Sequence, residues 1–145
     1  MPRIAVGLLL ALFAFASPAV ASDYYGGGKS HGSYAWGELP PCDYPGVVGV
    51  IASKFAYADA HVLYTGLTIT TIDRIREADA KFGPGLVDRR YCRGTAWMSN
   101  GRKYEAVWLI ESKQGFVGLG WNVESCLPNF DPWRVFDQWC RAIRP

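Results

Sequence analysis

The sequence predicts an α+β domain: one amphipathic helix packed on a four-stranded antiparallel sheet, followed by a short C-terminal helix. Three observations predict it. Apolar residues recur with a helical period from Val47 to Val62, two alternating runs flank Asn100-Gly101, and four cysteines sit downstream of an export signal.

The chain begins with a basic Arg3, an apolar run from Ile4 to about Ala16, and Ala19-Val20-Ala21 before Ser22. A membrane-spanning helix needs about 20 apolar residues, and Ser17-Pro18 interrupts this run. Residues 1–21 therefore read as a signal peptide cleaved between Ala21 and Ser22. An uncleaved anchor is the alternative. Export to a periplasmic or secreted location is expected, with no membrane span after cleavage.

Cleavage leaves 124 of the 145 residues, enough for one domain. Losing Arg3 leaves 14 Lys plus Arg against 13 Asp plus Glu. Such a balance lacks the basic excess of a nucleic-acid binder. Cys42, Cys92, Cys126 and Cys140 form an even set in an exported chain, so two disulfides are expected. Three pairings are possible. Cys42 with Cys92 and Cys126 with Cys140 is the preferred one, because the second pair flanks a short segment that a bridge would close into a lobe. No Cys-x-x-Cys spacing points to zinc or thiol redox chemistry.

Residues 22–41 are glycine-rich and carry Tyr24, Tyr25, Tyr34 and Trp36, and they read as a flexible leader to the domain at 42–145. Asp43 is the expected cap and Pro45 suits a first helical turn. Val47, Ile51, Phe55, Ala58 and Val62 then trace one helical face, with Gly66 as the stop. Residues 67–75 are rich in β-branched side chains and predict a strand, with 77–87 as a connection.

Asn100-Gly101 predicts a two-residue hairpin turn. With Ser99 facing Arg102, Trp97 would pair with Tyr104 and Arg93 with Trp108. A four-residue loop at 112–115 would then bring Trp121 opposite Ala106. One face would collect Trp97, Trp108 and Trp121 beneath the helix. The other would carry Cys92, Gly94, Ala96, Val107, Leu109, Phe116 and Gly118, small enough in places for another segment to approach closely. At the end of the chain, Asp131-Pro132 predicts one to three helical turns tethered by Cys140. This order of elements is similar to the cystatin-like and nuclear-transport-factor-like folds. Fold alone assigns no function.

Catalytic signatures are absent. His31 and His61 are far apart in sequence, no HExxH or Gly-x-Ser-x-Gly motif occurs, and no cofactor motif is present. Glu105, Glu111 and Glu124 are the carboxylates that a glycosidase-like couple would draw on. Arg93 beside Trp108 is the candidate ligand-binding pair, since a guanidinium can stack on an indole. An arginine on an apolar face either reaches solvent at the sheet edge or marks a pocket for an anion.

The segments Pro41-Cys42-Asp43, Arg89-Arg90-Tyr91-Cys92, Ser99-Asn100-Gly101-Arg102, residues 118–126 and Cys140 resemble a family of small exported bacterial proteins of uncharacterised function. The resemblance covers residues 41–145, implies an exported disulfide domain and carries over no functional residue.

The sequence thus points to a non-catalytic exported binding or accessory protein with a protein partner in the cell envelope. The alternatives are a small-ligand carrier with a pocket between helix and sheet, and a hydrolase of envelope polymers.

Overall fold

The computed structural model describes residues 38–84, 87–114 and 120–145. The expected signal peptide, its expected cut at Ala21-Ser22, the expected leader up to residue 37, and Phe116 and Gly118 lie outside the described residues. Helix α1 (Pro45–Ala58) runs on through a π turn (Asp59–Leu63) into strands β1 (Ile69–Lys81), β2 (Arg89–Met98), β3 (Lys103–Ser112) and β4 (Trp121–Cys126). The strands form one antiparallel sheet in sequence order.

Pro45 takes the first helical position as expected, but the residue before it, Tyr44, is the N-cap and Asp43 makes no cap. Val47, Ile51 and Phe55 are buried against the sheet. Among the described residues, the span Pro45–Leu63 is the one long and apolar enough to cross a membrane, with mean hydropathy 1.2. Here it serves as the helix of the core.

Its last turn departs from the expected face. The π turn inserts a residue, so Asp59 takes the inward place and Val62 turns outward, 48% exposed. Asp59 stays charged there because its carboxylate accepts from the Thr65 hydroxyl, the Thr65 N–H at 3.0 Å and the Gly66 N–H at 2.8 Å. Those bonds, led by the Thr65 hydroxyl, hold its pKa below the ordinary value against the opposing effect of burial. Asp59 therefore contributes its full stabilisation above the unfolded carboxyl value of about 3.9, and that contribution fades as pH falls through the lower folded value. Asp59→Asn is expected to cost about 1–3 kcal/mol at pH 7. Urea titrations should show the gap between wild type and variant narrowing in acid.

Strand β1 is longer than the sequence predicts, running on through Glu77, Asp79 and Lys81 where a connection was expected. Its register against β2 shifts three times, and each shift adds one residue to β1. Such bulges bend a strand and increase its twist. Arg74, inside the second bulge, has φ 51°.

The hairpin turn forms where expected, but with three loop residues rather than two. Met98 accepts from the Gly101 N–H at 2.9 Å and donates to the Arg102 carbonyl at 2.9 Å. Gly101 supplies the left-handed position, φ 76°, of a type I turn with a bulge. Trp97 consequently pairs with Lys103, Gly94 with Ala106 and Cys92 with Trp108. A slip of one residue turns every side chain over, so Trp97 lies on the face opposite Trp108. The next loop is also longer than expected: β4 begins at Trp121, which pairs with Ser112 rather than Ala106.

Beneath α1 the sheet presents Ile72, Cys92, Ala96, Met98, Ala106, Trp108, Ile110 and Val123. Gly94 sits in this layer for want of room. A Cβ there would lie 3.0 Å from the Asp73 carbonyl and 3.1 Å from the Trp108 ring. On the other face the chain end covers Tyr91, Val107 and Leu109 with Phe136, Cys140 and Ile143. That chain end is not the expected α-helix. It consists of bends and 3₁₀ turns (Pro128–Phe130 and Gln138–Ile143), interrupted by positive φ at Arg134, Asp137, Trp139 and Cys140. Asp131 still caps locally, accepting from Val135 N–H at 2.8 Å and Phe136 N–H at 3.2 Å.

Two disulfides close the structure, in the preferred pairing. Cys42–Cys92 ties the entry of α1 to β2, and Cys126–Cys140 ties the end of β4 to the chain end. Both bridges fit an oxidising environment.

Candidate functional site

The second, outward face of the sheet is covered only in part, and beside the covered part lies a hollow of about 390 Å³. Four cations line it: Arg74, Arg76, Arg93 and Lys103. Thr95, Tyr104 and the Gly94 backbone complete its wall with one carboxylate, Glu105. The hollow falls within the roughly 300–1,000 Å³ of small-molecule sites.

The bulges of β1 create this cluster. They carry the register so that Arg76 lies directly opposite Arg93, and Asp73 opposite Thr95. Like charges directly opposed on a sheet repel. Asp73 forms no ion pair with them among the described residues: its Oδ2 accepts from the Trp97 indole N–H at 2.9 Å, and its Oδ1 is buried without a hydrogen-bond partner. Lys103 lies over the Trp97 ring, 5.9 Å from its centroid. Among the described residues, Arg74, Arg76 and Arg93 have no ion-pair partner.

Glu105 is already engaged. Arg144 grips it from the chain end, Nη1 donating to Oε1 at 3.3 Å and Nη2 to Oε2 at 2.9 Å. The adjoining Ile143 is buried in the cluster that the Cys126–Cys140 bridge anchors. Covalent tether and apolar packing therefore both fix where Arg144 can reach.

The predicted pair of Arg93 and Trp108 does not form. Arg93 is exposed and faces Val107, while Trp108 is fully buried on the helix side. The three glutamates are not brought together as a couple either. Glu105 holds Arg144, Glu111 accepts from Arg89 at 2.8 Å, and Glu124 accepts from Asn122 at 2.9 Å with Lys54 at 3.9 Å. The hydrogen bond to Glu111 raises the Arg89 pKa. His61 is exposed and stacked on Tyr57, with Nδ1 2.8 Å from the Tyr57 carbonyl.

Cys126, Asp131 and Cys140 are grouped closely enough to suggest a metal site, but both sulfurs are joined in the disulfide. A second concavity of about 360 Å³ lies between the end of α1 and the chain end. It is mostly apolar, and the exposed Val62, Trp133 and Val135 stand on its rim.

Comparison with known protein families, with curated proteins and with solved structures finds no match for this chain.

Proposed function

We propose that the protein is a non-catalytic exported binding protein, periplasmic or secreted, that takes an anionic ligand in the hollow on the outward face of its sheet. One observation carries this reading. Three arginines and a lysine converge on one concavity, and among the described residues no carboxylate is ion-paired with the arginines. The whole chain is close to neutral, so the cluster reflects placement rather than composition. A concave cluster of one sign focuses the field and draws in the opposite charge. Guanidinium groups add forked donors that match oxyanions. A cystatin-like or nuclear-transport-factor-like arrangement, a bent sheet with a helix on one face, is the framework we propose for it.

NMR titration with dextran sulfate tests the reading. Amide shifts should concentrate at Arg76, Arg93, Thr95, Lys103 and Glu105. Shifts spread evenly over the surface, or none, would sink it.

The protein partner in the envelope remains a second reading, favoured by the apolar groove with Val62, Trp133 and Val135 at its rim. Two other readings have less support. A carrier chamber between helix and sheet would need space that Val47, Ile51, Trp108 and Ile110 fill, each fully buried. A hydrolase would need free carboxylates, and Glu105, Glu111 and Glu124 are each held by a cation.

A further inference from the structure

We infer that the group taken by the hollow is a phosphate ester carrying nearly two charges, and that Arg144 keeps the hollow receptive by holding Glu105 away from its cations. This rests on the reading of the hollow as an anion site and names the ligand class and the residue that maintains it.

The chemistry of the wall favours phosphate over a simple carboxylate. Arg74, Arg76, Arg93 and Lys103 are pure donors, and the Thr95 hydroxyl adds one more group able to donate, whereas the Tyr104 ring packs on the helix side against Phe130. Among the described residues the carboxylate in the wall is that of Glu105, and Arg144 occupies both of its oxygens. A ligand meeting this wall must be rich in acceptors. A single carboxylate brings one charge against four cations. A phosphate monoester brings about 1.5 to 2 charges and three strong acceptor oxygens near neutral pH.

The backbone points the same way. Arg76 and Arg93 occupy directly opposed positions, where Cβ atoms lie about 4.5–5.5 Å apart. Two guanidinium groups can therefore reach one tetrahedral oxyanion. Arg74 joins them from a bulge in which its own backbone is left-handed, a conformation that costs energy for any side chain but glycine. Repulsion and strain thus fall at one place on the sheet, and a polyvalent anion relieves the repulsion there. The hollow, about 390 Å³, also leaves room for the organic part of an ester.

Glu105 is the natural competitor for these cations. It lies opposite Thr95, diagonal to Arg93, and two residues along β3 from Lys103 on the same face. Released from Arg144, its carboxylate would turn to either and occupy the site from within. The chain end prevents this through Cys140 and Ile143, which fix the position of Arg144. Arg144 acts as a positioning residue and need not touch the ligand.

Soluble phosphate esters and lipid headgroups share this chemistry, so two probes are needed: glycerol phosphate in solution, and vesicles of phosphatidic acid compared with phosphatidylcholine. Calorimetric titration of the oxidised protein at fixed ionic strength should give at least about tenfold tighter binding of glycerol phosphate than of acetate. Binding to phosphatidic acid vesicles without glycerol phosphate binding would assign the lipid source and still support the phosphate class. Arg93→Ala should weaken binding about tenfold, and Arg93→Lys less. Arg144→Ala should weaken it as well, and Arg144→Ala with Glu105→Gln should restore it. Glu105→Gln alone should bind at least as tightly as wild type, and melting curves of all variants report whether they fold.

Equal affinity for acetate and glycerol phosphate would overturn the phosphate class while leaving an anion site. Wild-type affinity in Arg144→Ala, or no recovery on adding Glu105→Gln, would overturn the role of Arg144. Binding of neither anion nor vesicle would remove the anion site itself.

Discussion

Trp108→Ala is expected to lower stability by about 3–5 kcal/mol, the range for removing a buried large aromatic side chain. The residue is fully buried in the layer between α1 and the sheet, and its ring fills the space that Gly94 leaves open. Against a total of about 5–15 kcal/mol for an ordinary domain, such a loss approaches unfolding. Trp108→Phe separates volume from polarity. The Trp108 indole Nε1 is buried without a hydrogen-bond partner among the described residues, so phenylalanine removes an unsatisfied donor while leaving a smaller void. Its cost is expected to be about 1 kcal/mol. Urea unfolding of both variants checks this, and similar losses for the two would show that the indole N–H is satisfied in solution.

The second large effect concerns the bridges. Replacing Cys42 and Cys92 by serine is expected to cost about 4 kcal/mol, given a separation of 50 residues. Replacing Cys126 and Cys140, separated by 14 residues, should cost about 3 kcal/mol. The two variants should also differ in kind. Loss of Cys42–Cys92 loosens the helix from the sheet, whereas loss of Cys126–Cys140 frees the chain end that covers Tyr91, Val107 and Leu109. Denaturant midpoints and dye binding to exposed apolar surface distinguish them. Unchanged midpoints in both variants would refute the expectation.

The helix face at Val47, Ile51 and Phe55 was legible because it is simple periodicity. The π turn after it was not, since Asp59 is polar and its inward place depends on donors at Thr65 and Gly66 that only the folded loop supplies. The Asn100-Gly101 turn was visible in the sequence, but the loop length was not. A left-handed glycine suits both a two-residue and a three-residue loop, and the difference of one residue decided which side Trp97 and Arg93 face. Strand β1 was half hidden, because its second part is charged and pairs along an edge without an apolar alternation to announce it. The site followed the same limit. Arg93 stood out beside its neighbours, while Arg74, Arg76 and Lys103 carry no local signal and meet it only through the bulged register.

The bulges of β1 have a further bearing on how molecules of this protein meet one another. A straight, flat border strand is a template on which a second copy can be added, and it seeds stacked assemblies. Here the border strand is kinked at three places and dotted with Arg76, Glu77, Asp79 and Lys81. A neighbouring copy finds no continuous ladder of partners along it, so concentrated solutions should resist fibre growth from this side.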